Sequence, residues 1–205
     1  MAMKPKKCKA QKCGIEFSPS KSTQKVCSMR CAISYSREQA EKKALKENRK
    51  RKESLKTRSD YMRDAQRVFN AFIRERDKNE PCISCGGTPN DSKLITGSKW
   101  DAGHFFSIGA HPALRFDERN CVKQCVKCNR DLSGNIHNYR LGLIDKMGAE
   151  EFAKFESEAY QAEPKKYSSD DLKEIIKIYR EKTKQMRIKN DEWLDGQRWL
   201  ETGEI

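Results

Sequence analysis

The chain has 205 residues, with 36% hydrophobic and 36% charged side chains and a formal net charge of +13. So few apolar residues argue against one large buried core and favour small modules that bound metal ions stabilise. The positive charge favours a polyanionic partner, and the lack of a long apolar run or a lipidation signal favours nucleic acid over a membrane. No signal-peptide pattern follows Met1, so we expect a cytoplasmic protein.

The first predicted element is a zinc module at residues 1–33. It contains two closely spaced cysteine pairs, and cysteines in a reducing compartment are not expected to form disulfides. Two such pairs can close a tetrahedron around one zinc ion. The four predicted ligands are Cys8, Cys13, Cys27 and Cys31. Ser28 is expected to cap a helix whose first turn carries the last of them.

A basic helical linker is predicted at residues 34–58, because this segment lacks Gly and Pro and is rich in Lys, Glu, Ala, Arg and Leu. It has almost no apolar stripe, so it is either a solvated helix or a basic strut that lies along phosphates. A helix with one apolar face is predicted at about 60–79, with Ser59 as its cap. Its apolar residues recur at three- and four-residue spacing: Tyr61, Ala65, Val68, Phe69, Phe72 and Ile73.

The rest of the chain is predicted to mix short strands with helices. Residues 98–124 carry Gly103, Gly109 and Pro112, which argue against a long helix and favour strands and loops. The helices predicted after them cover 126–134, about 149–160 and about 169–189, the last opened by a capping box at 168–171. The sequence thus predicts an α+β fold with these parts: the zinc module 1–33, the linker 34–58, a core at 59–146, C-terminal helices at 147–192 and a tail at 193–205.

A second four-cysteine zinc site is predicted inside the core. Cys82-x2-Cys85 and Cys125-x2-Cys128 lie about 40 residues apart, a spacing typical of paired zinc knuckles. Cys121 is a further cysteine, and its spacing from Cys125 would also suit a metal ligand. We prefer Cys125 and Cys128, because they repeat the spacing of the first pair. Four thiolates leave no open position for water, so both zinc sites are predicted to be structural.

Three polar residues within or just after this zinc clamp indicate hydrolytic chemistry. A neutral imidazole can take a proton from water near pH 7, and His104 is the candidate base. Asn120 can hold the histidine-bearing strand through main-chain hydrogen bonds. Asn129 can offer an amide oxygen to a hard divalent ion, Mg²⁺ or Mn²⁺. Together they suit hydrolysis of a phosphodiester, which needs an activated water and neutralisation of negative charge.

The order His104, Asn120, Asn129 resembles the HNH, or ββα-metal, nuclease motif, with asparagine in place of the last histidine. The surrounding segments are more closely similar to the lambdoid phage NinG (Rap) recombination nuclease family, over nearly the whole chain. This resemblance implies a ββα-metal core and an endonuclease that cuts Holliday junctions and D-loops in phage recombination, in the host-cell cytoplasm. The matching segments are 70–77, Pro81 to Cys85, Asp101 to His104, Leu114 to Phe116, Glu118 to Asn120, Gln124-Cys125, Cys128-Asn129 and Ser133 to Asn135.

The second ligand of the catalytic ion is left open by the sequence. Nucleases that share the motif carry Asp or His directly before the base histidine, where this chain has Gly103. Asp101 is the nearest substitute, because residues two apart on a strand point to the same face. His137 is a reserve candidate.

Basic residues around the motif are candidates to hold DNA phosphates on both sides of the cut. They are Arg115, Arg119, Lys123, Lys127, Arg130 and Arg140. Nothing suggests base-specific readout, which suits recognition of DNA shape, and symmetric cutting of two strands would suit a homodimer. Two alternatives stay open: a non-catalytic, zinc-clamped adaptor that binds branched or duplex DNA, and an RNA-binding zinc-ribbon protein.

Overall fold

The structure, a computed structural model, describes residues 3–88 and 99–202, with side chains described as far as residue 190. Residue 98, the side chains of the predicted tail and residues 203–205 therefore lie outside the described residues. The chain divides into two compact units, Met1–Lys56 and Thr57–Ile205. Each unit combines one two-stranded antiparallel sheet with helix, a single helix in the first unit and several in the second, which confirms the predicted α+β class.

The first unit is a small hairpin followed by a long helix. Strand β1 (Lys6–Lys7) pairs with β2 (Glu16–Phe17), and helix α1 covers Met29–Ser54. Ser28 caps α1 as predicted, since its hydroxyl accepts a hydrogen bond from the backbone N–H of Cys31 at 3.3 Å. No residue of α1 is buried. One solvated helix therefore runs from the end of the predicted zinc module through most of the predicted linker.

Helix α2 (Arg58–Arg76) opens the second unit, and its predicted apolar face is confirmed. The predicted cap at Ser59 is wrong, because Thr57 caps the helix. The Thr57 hydroxyl accepts a hydrogen bond from the Asp60 N–H at 3.3 Å, and the Asp60 carboxylate accepts one from the Thr57 N–H at 2.9 Å. This reciprocal pair satisfies two N–H groups at once, which a cap at Ser59 would not achieve.

The second sheet is a hairpin of β3 (Trp100–His104) and β4 (Cys121–Cys125). A 3-10 helix (Pro112–Phe116) lies in the connection, so the strands and loops predicted for this segment are confirmed. The register of the hairpin places His104 opposite Cys121 and Asp101 opposite Gln124.

The two faces of this hairpin carry different chemistry, because side chains alternate along a strand. One face presents His104 and Cys121, and the other presents Asp101, Gly103 and Gln124. We call these the histidine face and the amide face.

The end of the chain is helical. A π-helical turn (Lys127–Asp131) follows β4, within the short helix predicted for 126–134, and helices α3 (Ile136–Met147), α4 (Ala149–Gln161) and α5 (Ser169–Thr202) complete the unit. Helices α4 and α5 begin where the sequence predicts them, and the capping box of Ser168 and Asp171 is confirmed. No helix within the described residues is long and apolar enough to cross a membrane.

Helix α3 was not among the helices predicted from the sequence. A Cβ at Gly142 would lie less than 3.0 Å from the carbonyl oxygen of Ile83. Glycine therefore allows the Cys82–Cys85 segment to approach the helix more closely than any other residue would permit.

Two apolar clusters hold the hairpin between helices. On the histidine face, Cys121 packs with residues of α2 and α5, namely Phe69, Phe72, Ile73 and Tyr179. On the amide face, Val122 packs with the connection and with α3 and α4, through Phe106, Leu114, Tyr139, Leu143, Phe152, Phe155 and Ala159. Packing on both faces fixes the hairpin that carries the predicted site residues.

A buried ion pair ties the end of α2 to β4. Both Asp77 oxygens accept hydrogen bonds from the Arg76 guanidinium, at 2.8 and 2.7 Å. The Asp77 carboxylate also accepts the backbone N–H of Lys123 at 3.0 Å, and Arg76 donates to the carbonyl of Cys121 at 2.9 Å. Both charges therefore bind the backbone of the strand as well as each other.

Candidate metal and active centre

The four cysteines of the first unit come together as predicted. Their sulfurs all lie within 4.8 Å of one another, and Cys27 Sγ stands 3.6 Å from Cys13 Sγ and 3.7 Å from Cys31 Sγ. A tetrahedral zinc–thiolate site with bonds of about 2.3 Å would place its sulfurs about 3.8 Å apart. The Cys13 thiol, followed by burial, raises the pKa of Cys27 to about 12. Thiols this close resist deprotonation unless a cation shares their charge, so the cluster could hold zinc.

The second cluster consists of Cys82, Cys85, Cys125 and Cys128, again with sulfurs within 4.8 Å of one another. Backbone N–H groups point at the sulfurs, with Cys125 donating to Cys82 at 3.3 Å and Cys128 donating to Cys125 at 3.4 Å. Burial raises the pKa of Cys125 to about 12. This cluster could also hold zinc, and it joins the Cys82–Cys85 segment to the end of β4.

The structure resolves the choice between Cys121 and Cys125, because only Cys125 lies in the cluster. The two residues are four apart on one strand, which separates them by about 13 Å. Cys121 is instead fully buried in the apolar cluster of the histidine face. Burial raises the pKa of Cys121 well above its ordinary value, so its thiol stays neutral.

His104 is the last residue of β3 and is held from both sides of its ring. Its Nε2 lies 3.0 Å from the carbonyl oxygen of Arg115, and its Nδ1 lies 3.7 Å from the sulfur of Cys121. A carbonyl can only accept, so Nε2 carries the proton and Nδ1 keeps a lone pair. Burial lowers the pKa of His104 below its ordinary value. The imidazole is therefore neutral at pH 7 and able to accept a proton at Nδ1.

Asn120 lies directly before β4 and is fully buried. Its side-chain oxygen accepts the backbone N–H of Phe106 at 2.8 Å, and its amide nitrogen donates to the carbonyls of Phe106 at 3.0 Å and Leu114 at 3.2 Å. These are bonds of the kind predicted for it. They fix the chain that leaves His104, so Asn120 is a positioning residue.

On the amide face, the structure brings Asp101 and Asn129 together. The Asn129 amide donates to Asp101 at 2.9 Å, and the Arg130 guanidinium donates to both Asp101 oxygens at 2.7 and 2.8 Å. Burial alone would raise the pKa of Asp101, but its bonds to Arg130 and Asn129 outweigh burial and lower it. Asp101 is therefore ionised at neutral pH, with both oxygens already bonded.

Gln124 is a residue of the amide face to which the sequence assigned no role. It is 0% exposed, and its amide nitrogen donates to Ser84 at 2.7 Å and to the Gly134 carbonyl at 2.6 Å. Its oxygen is buried and has no hydrogen-bond partner among the described residues. The sequence signalled Gln124 through the matching segment Gln124-Cys125, whereas its position opposite Asp101 depends on the register of the folded hairpin.

The predicted DNA contacts divide into two groups. Lys127 is exposed, and Arg115 lies next to His104 with a hydrogen bond to Gln66. Three arginines are paired with acidic residues: Arg119 with Asp117 and Glu158, Arg130 with Asp101, and Arg140 with Glu156. They could reach phosphates only by sharing or exchanging these partners.

Lys123 does not fit the predicted DNA contact. The residue is only 2% exposed, its ammonium donates to the carbonyl of Lys78 at 2.9 Å, and it lies 4.1 Å from the centre of the Trp100 ring. The basic pattern of the sequence did not reveal that this strand face is buried. His137, the reserve metal ligand, is exposed on α3, and within the described part of the chain no hydrogen bond joins it to Asn129.

The site therefore has two halves, one on each face of β3. Asp101, Asn129 and Gln124 belong to the amide face, whereas His104 contacts Arg115 and Cys121 near the histidine face. The halves meet at the end of the strand, where His104 directly follows Gly103.

Comparison with known proteins gives one family. The model described as Bacteriophage Lambda NinG protein matches residues 2–190. Protein ninG of Salmonella phage P22 is 38% identical, over 91% of this chain and 96% of the relative. Protein ninG of Escherichia phage lambda is 38% identical over 94% and 99%, and that of Escherichia phage 933W is 42% identical over 69% and 66%. No solved structure matches the chain. Because the family model covers nearly the whole sequence, the chain belongs to the bacteriophage NinG protein family.

Proposed function

We propose that this protein is a metal-dependent, structure-specific DNA endonuclease that cuts branched DNA, such as Holliday junctions and D-loops, during phage recombination. The observation that carries the proposal is the state of His104. Its Nε2 is bonded to the Arg115 carbonyl and burial lowers its pKa, so a neutral imidazole with an unprotonated Nδ1 beside the Cys121 thiol stands at the end of β3.

His104 acts as the general base in this proposal. Nδ1 takes a proton from the water that attacks the phosphodiester, and the Arg115 carbonyl stabilises the imidazolium that results. The Cys121 thiol beside Nδ1 stays neutral and does not compete as a base. Asn120 keeps the following residues in place, so the ring keeps its orientation.

The amide face fits a hard divalent ion, because its donors are oxygens. A bound Mg²⁺ or Mn²⁺ would neutralise charge on the phosphate and polarise it. Asn129 offers an amide oxygen, and Asp101 stands beside it with a full negative charge. Asp101 would have to exchange a bond to Arg130 or Asn129 before it could become a ligand itself.

The two halves of the site set a requirement on the substrate. His104 lies on the histidine face of β3, and Asn129 lies against the amide face. A scissile phosphate must therefore lie across the end of the strand to contact both residues. The Arg115 carbonyl binds His104 and the Arg130 guanidinium binds Asp101, so each half of the site has an arginine beside it that could hold a neighbouring phosphate.

The preference for branched DNA is what the resemblance to the NinG nuclease family implies, whereas the charge of the chain favours DNA in general. The chain carries a formal net charge of +13, and α1 exposes a basic surface with no buried residue. Such surfaces bind phosphates and favour DNA that can bend around them. The two cysteine clusters would contribute rigidity when loaded with zinc, and a homodimer would place two sites for paired cuts.

The test is a cleavage assay on a labelled four-way junction and a matched linear duplex, with Mg²⁺, Mn²⁺ or EDTA. We expect metal-dependent cuts in the junction, far fewer cuts in the duplex, and none in EDTA. Tight junction binding without cuts under any metal would contradict the proposal and support the non-catalytic adaptor. Preferential binding of structured RNA in competition would instead support the RNA-binding alternative.

A further inference from the structure

We infer that the side-chain oxygens of Gln124 and Asn129 form a binding site for a hard divalent cation beside Gly103. The inference deepens the proposed function, on which it rests for the purpose of the site. It names the second ligand that the sequence left open between Asp101 and His137.

The Gln124 amide can be oriented in only one way. Its nitrogen donates to the Gly134 carbonyl at 2.6 Å, and that carbonyl cannot accept a bond from the Gln124 oxygen. A second bond from the same nitrogen reaches the hydroxyl of Ser84 at 2.7 Å. The oxygen must therefore point the other way, where it is buried and meets no hydrogen-bond donor among the described residues.

An amide oxygen left in this state costs free energy, because it has lost its water without gaining a partner. Native proteins rarely tolerate such an atom without a reason, and a bound cation is one such reason. The burial of Gln124 is complete, so the side chain cannot turn to solvent to relieve the cost.

The Asn129 amide is oriented by the same logic. Its nitrogen donates to the Asp101 carboxylate at 2.9 Å, and an ionised carboxylate accepts but does not donate. The Asn129 oxygen is thereby turned toward Gly103. Asp101 also accepts two bonds from Arg130, which hold its carboxylate beside Asn129.

Gly103 is where the two oxygens converge. A Cβ added at Gly103 would lie less than 3.0 Å from Gln124 Oε1 and 3.3 Å from Asn129 Oδ1. The backbone at this position does not need glycine for conformational reasons, since Gly103 is not among the residues with positive φ. Glycine here instead leaves open the space between two oxygens.

The donors decide the class of ion. Amide oxygens suit Mg²⁺, Mn²⁺ and Ca²⁺, whereas Zn²⁺ prefers the thiolates of the cysteine clusters. Two neutral ligands with Asp101 behind them would hold the ion loosely, leaving its other positions to water and phosphate.

The experiment measures Mn²⁺ binding to the full-length, zinc-loaded protein by electron paramagnetic resonance of the free ion. The test variant is Gly103→Ala, which places a methyl group between the two oxygens and removes no polar group. Its matched control is Gly109→Ala, since a Cβ at Gly109 meets nothing within 4 Å. We expect Gly103→Ala to weaken Mn²⁺ binding by at least about tenfold, and Gly109→Ala to bind like the wild type.

A second variant, Gln124→Met, keeps the length of the side chain but removes its oxygen. It also removes the donor to Gly134, so zinc content and circular dichroism are recorded to show whether it folds. Wild-type Mn²⁺ affinity in both folded variants would overturn the inference, as would a wild-type protein that binds no Mn²⁺ at all. If Gln124→Met does not fold, the comparison of Gly103→Ala with Gly109→Ala decides.

Mn²⁺ binding and DNA cleavage, measured on the same variants, separate a failure of the cation site from a failure of the proposed endonuclease. Mn²⁺ binding that is lost in Gly103→Ala, combined with no cleavage of any DNA, would leave the cation site standing and overturn the endonuclease. Metal-dependent junction cleavage that persists in Gly103→Ala with unchanged Mn²⁺ affinity would overturn the cation site alone.

Discussion

Tyr139 on α3 and Gly103 on β3 are joined by a buried hydrogen bond, in which the phenol donates to the glycine carbonyl at 2.8 Å. The same hydroxyl accepts the backbone N–H of Val122, on the paired strand, at 2.9 Å. Burial raises the pKa of Tyr139 well above its ordinary value, so the donor is kept. One hydroxyl therefore holds α3 against both strands at the position where the two halves of the site meet.

Tyr139→Phe removes this hydroxyl and should lower the free energy of unfolding by about 1 to 3 kcal/mol, because a buried donor and acceptor each lose a partner. Urea denaturation in the presence of zinc measures the change. Tyr160→Phe is the matched control, since Tyr160 is 71% exposed and keeps its ring contacts as phenylalanine. Equal stability of the two variants would show that the bridge contributes nothing.

Asp77→Asn should lower the free energy of unfolding by about 3 to 5 kcal/mol, because it leaves the Arg76 guanidinium without its buried counter-charge. Urea denaturation at pH 7 checks this. Glu174→Gln, which breaks an exposed pair with Lys177, is the control and should change stability little. A similar effect of both substitutions would contradict a structural role for the Arg76–Asp77 pair.

The same residue predicts how stability depends on pH. Burial alone would raise the pKa of Asp77, but its bonds to Arg76 and the charge of Lys146 outweigh burial and lower it. A carboxyl with a lowered pKa contributes stability above its unfolded pKa and loses it as pH falls through the folded value. The stability difference between wild type and Asp77→Asn should therefore be full at pH 7 and shrink only below the ordinary aspartate range.

Zinc content should follow the cysteine clusters. We expect two zinc ions in the wild type, one in Cys125→Ser and two in Cys121→Ala, because Cys121 lies in the apolar core rather than among the sulfurs. Mass spectrometry of the metal in purified protein measures this directly. Loss of zinc in Cys121→Ala but not in Cys125→Ser would reverse the assignment of the ligand.

The cleavage rate should have an acid limb that reports His104. Burial lowers the pKa of His104, the guanidinium of Arg115 opposes its protonation, and the adjacent Cys121 thiol is neutral. The protonated ring cannot accept a proton, so the rate falls as pH drops through a value below that of an ordinary histidine. Single-turnover rates between about pH 5 and 8 test this, with zinc content checked at the acid end. A limb above the ordinary histidine value would contradict the assigned environment.

Local patterns in the sequence predicted much of this fold. Fixed cysteine spacing identified both clusters, because knuckle ligands must be close in the chain to share one ion. The apolar face of α2 and the capping box of α5 were also predicted, since both depend on residues within one or two turns. The wrong cap prediction at Ser59 is also a local matter, because Thr57 lies only two residues away. Thr57 caps the helix through its reciprocal hydrogen bonds with Asp60.

Features that depend on residues far apart in the chain could not be predicted from the sequence. Gln124 became part of the site only because Ser84 and Gly134 turn its amide toward Gly103. Lys123 was predicted to contact a DNA phosphate, but its side chain lies on a buried face of the strand. Helix α3 was also not predicted, and the close approach of its Gly142 to the carbonyl of Ile83 joins residues that are far apart in the chain. Register, burial and close approach are set by the folded chain, and no spacing along the sequence encodes them.

The most direct test of the account is the single-turnover cleavage of a four-way junction by His104→Ala beside the wild type, with Mg²⁺ and saturating protein. His111→Gln is the control, because His111 packs between Phe106 and Tyr160 away from the site. Binding of the junction and zinc content are measured on the same samples. We expect His104→Ala to bind the junction and keep its zinc but to cut at least about a hundredfold more slowly, while His111→Gln cuts normally. Wild-type cleavage by His104→Ala would contradict this expectation.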